Sequence, residues 1–128
     1  MEWQFRNDLP IYAQLVEKIR LGIISGELPP GSRLPAVREL AMEAGVNPNT
    51  MQRALQELER EGMVSTQRTA GRFVTEDDAV IRQSRKALAE KQLRGFLASM
   101  GELGYDREAI VSLLKEEKEE IDHADPGM

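Results

Sequence analysis

Two helical patterns separated by a very short gap constrain the fold of this chain more than any other feature. The first covers residues 35–44, and the second begins at Asn47 and Pro48 and ends near Gly62. Gly45 is suited to end the first helix because glycine readily adopts the left-handed conformation. Asn47 suits an N-cap and Pro48 the first helical position. Helices joined by so short a turn predict a helix-turn-helix unit.

The segments on either side extend this unit. An earlier helix is predicted between Pro10 and Gly26, after which residues 29–32 form a tight turn. The apolar stripe of that helix comprises Ile11, Tyr12, Leu15, Val16, Ile19 and Ile23. Two short β-like runs within residues 63–75 flank a basic, glycine-containing tip, which predicts a hairpin. A hairpin at this place is a wing, so residues 1–75 are predicted to form a winged helix-turn-helix domain.

The C-terminal part is predicted to be helical over residues 76–122, with a break at 101–106 and a flexible tail at 123–128. Its apolar stripe is either the core of this segment or an interface with a second copy. We favour a helical homodimerisation domain, because two helices alone cover both of their apolar sides poorly. The predicted interface residues are Ile81, Leu88, Leu93, Phe96, Leu97, Met100, Tyr105, Ile110, Leu113 and Leu114, and Ile121 lies on the apolar side of the last helix.

Composition limits the class of protein. With 41% hydrophobic, 5% aromatic and 30% charged residues, the 128-residue chain is expected to be mainly α with a small β-hairpin. The absence of cysteine excludes disulfides and thiolate metal sites. No apolar run approaches the roughly 20 residues that span a bilayer. We therefore expect a cytoplasmic protein with no membrane partner.

The net charge of −5 lies entirely in the C-terminal part of the chain. Residues 1–75 hold nine Lys and Arg and nine Asp and Glu, so this half is neutral overall. A neutral domain can still present a basic face if its acids lie elsewhere. The overall acidity therefore does not exclude a nucleic-acid partner.

One face of the third predicted helix carries amide and guanidinium groups and no acid. It comprises Asn49, Gln52, Arg53, Gln56 and Arg60. Asn and Gln can pair with adenine, and Arg with guanine, in the major groove of DNA. An ordinary solvent-exposed helix shows similar residues, but the preceding helix, the short turn and the hairpin favour DNA recognition.

The sequence offers little for catalysis. The single histidine, His123, falls in the predicted tail, and neither a Ser/His/Asp set nor a glycine-rich phosphate loop is present. The acidic residues lie at helix starts and on exposed faces, where capping and solubility explain them. We therefore expect no enzyme activity, no metal and no cofactor.

Spaced motifs over about residues 9–75 resemble the GntR family of bacterial regulators. They are Pro10–Leu15, Gly26–Pro35, Val37–Ala41, Gly45–Thr50, Arg53–Leu55, Leu58–Gly62 and Gly71–Val74. The short two-helix C-terminal part, including Leu103–Tyr105, resembles the YtrA-type branch of that family. The resemblance implies a repressor that binds double-stranded DNA as a homodimer on a roughly palindromic operator.

The resemblance also implies how the domain contacts DNA. The start of the third helix would enter the major groove, and the wing tip would reach toward the minor groove. The implied contact residues are Arg38, Asn47, Asn49, Thr50, Gln52, Arg53, Arg68, Thr69 and Gly71. Three positions depart from the family pattern: Ala36 stands where many members have Ser, Gln52 where several have Arg, and Thr69 where the first wing glycine is usual. These departures bear on the wing contacts and the operator sequence more than on the fold.

Two alternatives stay open at the level of sequence. The winged helix could instead serve as a protein-interaction module in a larger assembly, although its acid-free helix face argues against that function. A small-molecule effector, if one controls the protein, is expected at or near the dimer interface. The reason is that about 50 residues are too few to enclose a drug-sized pocket within one subunit.

Overall fold

A computed structural model describes residues 1–117 of the chain. In chain order its elements are α1 (Ile11–Ser25), α2 (Val37–Ala44), α3 (Pro48–Arg60), β1 (Val64–Gln67), β2 (Gly71–Val74), α4 (Asp78–Glu102) and α5 (Arg107–Glu116). The predicted class, mainly α with one small β-hairpin, is confirmed. The predicted apolar position Ile121 and the predicted tail at 123–128 lie outside the described residues. Among the helices of residues 1–117, none combines the length and the apolar composition that a membrane span requires.

The chain divides into two compact units, residues 1–86 and the part from residue 87 onward. The boundary falls within α4, so the first unit contains the start of this helix as well as the helix-turn-helix and the hairpin. The boundary predicted from the sequence, at residue 75, falls before α4 begins.

The core of the first unit holds α3 in place. Both α1 and α2 pack on α3. The core side chains with at most 1% exposure in α1 and α3 are Leu15, Ile19, Ile23, Met51, Ala54, Leu55 and Leu58. Each buried Leu or Ile side chain contributes roughly 1.5–3 kcal/mol of hydrophobic free energy. The inner side of α3 is therefore fixed by packing, which leaves its outer side to carry polar groups.

Gly45 and Asn47 form the turn between α2 and α3. Gly45 has a φ of 73°, and its N–H donates to the carbonyl groups of Ala41 and Met42. The Oδ1 atom of Asn47 accepts a hydrogen bond of 2.7 Å from the N–H of Asn49, which caps α3. The predicted helix end and the predicted N-cap are both confirmed, and α3 begins in a defined position.

α2 begins at Val37, later than the predicted start near Pro35. Ala36 occupies the N-cap, where its methyl group offers no acceptor to the free N–H groups of the helix. The preceding residues instead run beside β2. The N–H of Leu34 donates to the carbonyl of Arg72 at 2.9 Å, in a backbone ladder that the sequence did not reveal.

The hairpin is a wing whose base is anchored to the rest of the first unit. β1 and β2 pair antiparallel, from Val64 opposite Val74 to Gln67 opposite Gly71, which leaves residues 68–70 as the tip. The same backbone ladder adds two bonds at Val74. The N–H of Gly31 donates to the carbonyl of Val74 at 2.9 Å, and the N–H of Val74 donates to the carbonyl of Ser32 at 2.8 Å. The wing therefore projects from a supported base.

An N-terminal segment that the sequence analysis left unassigned also packs on the first unit. The rings of Trp3 and Phe5 stack with centroids 6.4 Å apart, and the ammonium group of Lys18 lies 5.5 Å from the centroid of the Phe5 ring. The terminal amino group of Met1 forms an ion pair with Glu27 at 3.3 Å. These contacts order a segment in which the apolar residues Met1, Trp3 and Phe5 alternate with polar ones.

The second unit contains most of α4 and all of α5 among the described residues. Gly104, with a φ of 89°, lies in the connection between the two helices. Asp106 caps α5, because its Oδ1 accepts a hydrogen bond of 2.9 Å from the N–H of Ala109. The predicted break and the predicted cap are thus both present, and Ile110 of α5 is buried.

Candidate nucleic-acid interface

The first turns of α3 present polar groups to solvent. Asn49 and Arg53 are exposed, whereas Thr50 and Gln52 are half-buried. Met51, on the opposite side, is completely buried. The four polar residues, Asn49, Thr50, Gln52 and Arg53, are called the recognition surface below. The sequence predicted all four as DNA contacts, and the fold places them on one short stretch of helix.

The N-terminus of α3 adds a favourable electrostatic contribution. Its first turn contains no acidic residue. The free N–H groups and the dipole of a helix N-terminus attract anions such as a DNA phosphate. Asn47 takes part through its capping bond with Asn49, so its side-chain oxygen is already used within the protein. Asn47 thus orients the recognition surface as well as lying beside it.

The glutamates near the end of α3 are paired with cations or hydroxyl groups. Glu61 accepts from Arg20 of α1 at 2.6 Å. Glu59 accepts from the hydroxyl of Thr66 and lies 3.5 Å from the guanidinium of Arg72. Both partners of Glu59 belong to the wing. These pairs neutralise acids that would otherwise repel DNA, and they join α3 to α1 and to the hairpin.

Glu57 lies on the outer side of α3, four residues after Arg53, so the helix face that the sequence predicted to be free of acid does carry one. Two neighbours contact its carboxylate. The Arg60 guanidinium donates to its carboxylate, and the Tyr12 hydroxyl lies 3.5 Å from the same oxygen. The hydrogen bond from Arg60 is the main reason that the pKa of Glu57 lies below its usual range. Glu57 is therefore ionised and paired with Arg60.

Arg53 differs from Arg60, the other cation of α3, because it lies on an aromatic ring. Its Cζ atom is 4.5 Å from the centroid of the Tyr12 ring, within the range of a cation–π interaction. Within residues 1–117 it forms no ion pair. Its guanidinium donors thus remain available to an outside acceptor.

The wing tip and α2 place further cations in the first unit. Arg38 of α2 is exposed, as are Arg68 and Thr69 at the tip. Among the described residues, neither arginine has an ion-pair partner. Gly71 has a φ of 104°, a conformation that side chains disfavour. These predicted contact residues are all present at accessible positions.

Arg33 is a candidate contact that the sequence analysis missed. It forms a β-bridge with Phe73, and its Nε atom lies 3.1 Å from the point that a Cβ atom on Gly71 would occupy. Arg33 is exposed. The sequence carries little sign of this position, because residues 29–32 suggested only a turn. The backbone bonds that hold residues 31–34 beside β2 become visible only in the fold.

Two of the predicted interface residues are buried within the chain itself. Ile81 is 5% exposed and belongs to the core of the first unit, and Ile110 is 5% exposed as well. Leu88, Leu97, Met100 and Leu113 are half-buried. Ile81 therefore contributes to intramolecular packing and leaves no surface for a partner.

The second unit nevertheless exposes large apolar side chains. They are Leu93, Phe96, Leu103, Tyr105, Val111 and Leu114, called the exposed apolar set below. Leu103, at 71% exposure, and Val111 were not among the predicted interface residues. Within residues 1–117 no cluster of three or more His, Cys, Asp or Glu side chains could hold a metal ion.

Comparison with known families and proteins agrees with this geometry. The model of the bacterial regulatory proteins of the gntR family matches residues 11–74. An uncharacterized HTH-type transcriptional regulator of Bacillus subtilis, YhcF, is 39% identical over 90% of this chain and 95% of its own length. The HTH-type transcriptional repressor YtrA of the same organism is 32% identical over 87% of this chain and 86% of its own length.

Solved structures show the same fold. A GntR family transcriptional regulator from Listeria monocytogenes matches with a TM-score of 0.81 and 38% identity, covering 88% of this chain and 98% of the other. The DNA-binding domain of AraR, solved in complex with operator ORX1, matches with a TM-score of 0.54 and 30% identity. That match covers 59% of this chain and 96% of the AraR domain.

Proposed function

This chain belongs to the GntR family of transcriptional regulators, which are DNA-binding proteins and not enzymes, and on that premise we propose that it represses transcription as a homodimer bound to a palindromic operator. The observation that carries the proposal is the recognition surface on α3. It consists of exposed or half-exposed amide, hydroxyl and guanidinium groups, and the glutamates that follow it are paired within the protein.

In this proposal α3 enters the major groove with its N-terminal turns. Asn49 and Gln52 carry amides suited to adenine, and Arg53 carries a guanidinium suited to the O6 and N7 atoms of guanine. Arg38 and Arg68 neutralise phosphates, a contribution that does not depend on base sequence. Arg33 and Gly71 bring the base of the wing tip toward the backbone of the DNA. A cytoplasmic location follows, since bacterial operator DNA lies there.

The second unit provides the dimer contact. Six large apolar side chains are exposed within residues 93–114, and monomeric proteins rarely leave extended apolar patches in water. We infer that a second copy of this chain covers these side chains. It would also double the DNA contacts, because it supplies another recognition surface to the same operator. Linking two modest binding sites raises the overall affinity steeply. Any small-molecule effector would act at this interface and change the separation of the two α3 helices.

The proposal is tested by selecting bound fragments from random-sequence DNA with the full-length chain. We expect enrichment of two inverted half-sites at a constant spacing, since the symmetry of a dimer is mirrored in its operator. Affinity for the selected fragment is expected to fall steeply as salt rises. Enrichment of no sequence, or binding insensitive to salt, would contradict the proposal. A nuclease-resistant complex with one stoichiometric protein partner would favour an interaction module instead.

A further inference from the structure

Tyr12 belongs to α1 but makes contacts with two side chains on the outer side of α3. The Arg53 guanidinium carbon lies 4.5 Å from the centroid of the Tyr12 ring. The Tyr12 hydroxyl lies 3.5 Å from an oxygen of Glu57. The Tyr12 side chain is partly buried and packs against the core, so its position is fixed by the same contacts that fix α1. A side chain fixed by the core thus touches an exposed cation of the recognition surface.

The ring restricts a side chain that would otherwise sample many conformations. An arginine has several rotatable bonds, and ordering them on binding costs free energy. A guanidinium over the face of an aromatic ring is attracted by the electron density of that face. Because Arg53 has no ion-pair partner within residues 1–117, the Tyr12 ring is the contact that defines its position before DNA arrives.

Glu57 is the natural competitor for Arg53. It follows Arg53 by four positions, a spacing at which oppositely charged side chains on a helix readily pair. Such a pair would cover the guanidinium donors with a carboxylate. In the structure the Glu57 carboxylate instead accepts from Arg60 and lies beside the Tyr12 hydroxyl. Tyr12 therefore contacts both side chains, since its ring lies against the Arg53 guanidinium and its hydroxyl lies 3.5 Å from the Glu57 carboxylate.

We propose that Tyr12 is a positioning residue for DNA recognition, which keeps Arg53 oriented and free of Glu57 so that its guanidinium can read a guanine. The role rests on the proposed function of the recognition surface. Tyr12 itself need not touch DNA, because its effect passes through Arg53. It links the packing of α1 to the base preference of α3.

The experiment compares Y12F, which keeps the ring and loses the hydroxyl, with Y12L, which loses both. Each full-length variant is titrated with the fragment selected by the wild-type chain and with a scrambled fragment of equal length and composition. We expect Y12L to weaken binding to the selected fragment about two- to fivefold for each half-site, the change that corresponds to one exposed cation–π contact. Binding to the scrambled fragment should not change, and Y12F should lose less than Y12L.

A double-mutant cycle separates positioning from general structure. If Tyr12 acts through Arg53, Y12L should cost nothing further in an R53A background. A loss of the same size in both backgrounds, or an equal loss on the selected and scrambled fragments, would overturn the proposal. Thermal unfolding of each variant ensures that binding is compared well below its melting temperature, because Tyr12 also packs on the core.

A measurement without DNA keeps this inference distinct from the proposed function. The ring current of Tyr12 should shift the NMR signals of the Arg53 Hδ protons upfield in the wild type and in Y12F, and this shift should disappear in Y12L. Identical Arg53 signals in Y12L and wild type would overturn the contact itself. Failure of the wild-type chain to enrich any fragment would instead overturn the proposed function, whatever the NMR signals show.

Discussion

The guanidinium of Arg20 lies 2.6 Å from both carboxylate oxygens of Glu61, and this ion pair joins the middle of α1 to the residue that follows α3. Arg20 also pairs with Glu17 on its own helix. The Arg20 side chain is only 15% exposed, so the pair is partly shielded from water. It fixes the far end of α3 and pairs the carboxylate of Glu61 within the protein.

Replacing Arg20 by Met should lower the free energy of unfolding by about 1–2 kcal/mol, because two carboxylates lose a hydrogen-bonded cation. Urea unfolding at neutral pH measures the change. R82M is the matched control, since Arg82 pairs with Asp78 on an exposed helix surface and such pairs contribute about 0.5 kcal/mol or less. Equal destabilisation by the two substitutions would show that the Arg20 pair has no special structural role.

Arg53 and Arg68 should affect DNA binding in different ways. R53A is expected to lower the free-energy difference between guanine and the other bases by about 1–3 kcal/mol at one position of each half-site. R68A should weaken binding to all sequences alike and reduce the slope of log affinity against log salt by about one for each subunit of the proposed dimer. Competition titrations at several salt concentrations distinguish the two effects. Loss of base preference in R68A would contradict the role assigned to Arg68, and unchanged base preference in R53A would contradict the role assigned to Arg53.

Arg33 should behave as a phosphate contact at the base of the wing. R33A is expected to weaken binding to the selected and the scrambled fragment to the same degree and to reduce the salt slope by about one for each subunit. The substitution should leave the melting temperature nearly unchanged, because the Arg33 side chain is exposed. Thr69, which the family resemblance places at the tip, provides the comparison, since T69A removes no charge. A salt slope identical to that of the wild type would exclude Arg33 from the interface.

An acid within the exposed apolar set should disrupt the proposed dimer. L93E is expected to shift the chain toward the monomer in sedimentation velocity and to lower operator affinity, because a charge cannot be buried between subunits without a partner. Leu21 of α1 offers a matched control with nearly equal exposure, 53% against 54% for Leu93. L21E should leave the oligomeric state unchanged. A dimer that survives L93E and L114E would place the subunit contact elsewhere.

Much of the first unit could be predicted because its signals are local. Gly45, Asn47 and Pro48 specify a helix end, a cap and a first turn within a few residues, and the apolar period of α3 identifies its buried side. The recognition surface then follows as the remaining side of that helix. The helix-turn-helix and its exposed polar residues could therefore be predicted from the spacing of residues alone.

The features that sequence reasoning missed depend on contacts between distant parts of the chain. Tyr12 fits the apolar stripe of α1, and nothing near it in sequence indicates that its ring meets Arg53. Ile81 fits a helical interface stripe equally well, but the start of α4 folds onto the core of the first unit. Arg33 joins the wing through backbone pairing with β2. A periodic pattern identifies which side of an element is apolar, but it does not identify what covers that side.

The recognition surface is tested most directly by methylation of guanine N7 with dimethyl sulfate on the selected fragment, in the presence of the wild-type chain and of R53A. Guanine N7 lies in the major groove and is one of the two acceptors that an arginine reads. We predict protection of a guanine at equivalent positions in both half-sites with the wild type, and loss of that protection with R53A at saturating concentration. Protection that is absent with the wild type, or unchanged in R53A, would contradict base reading by α3.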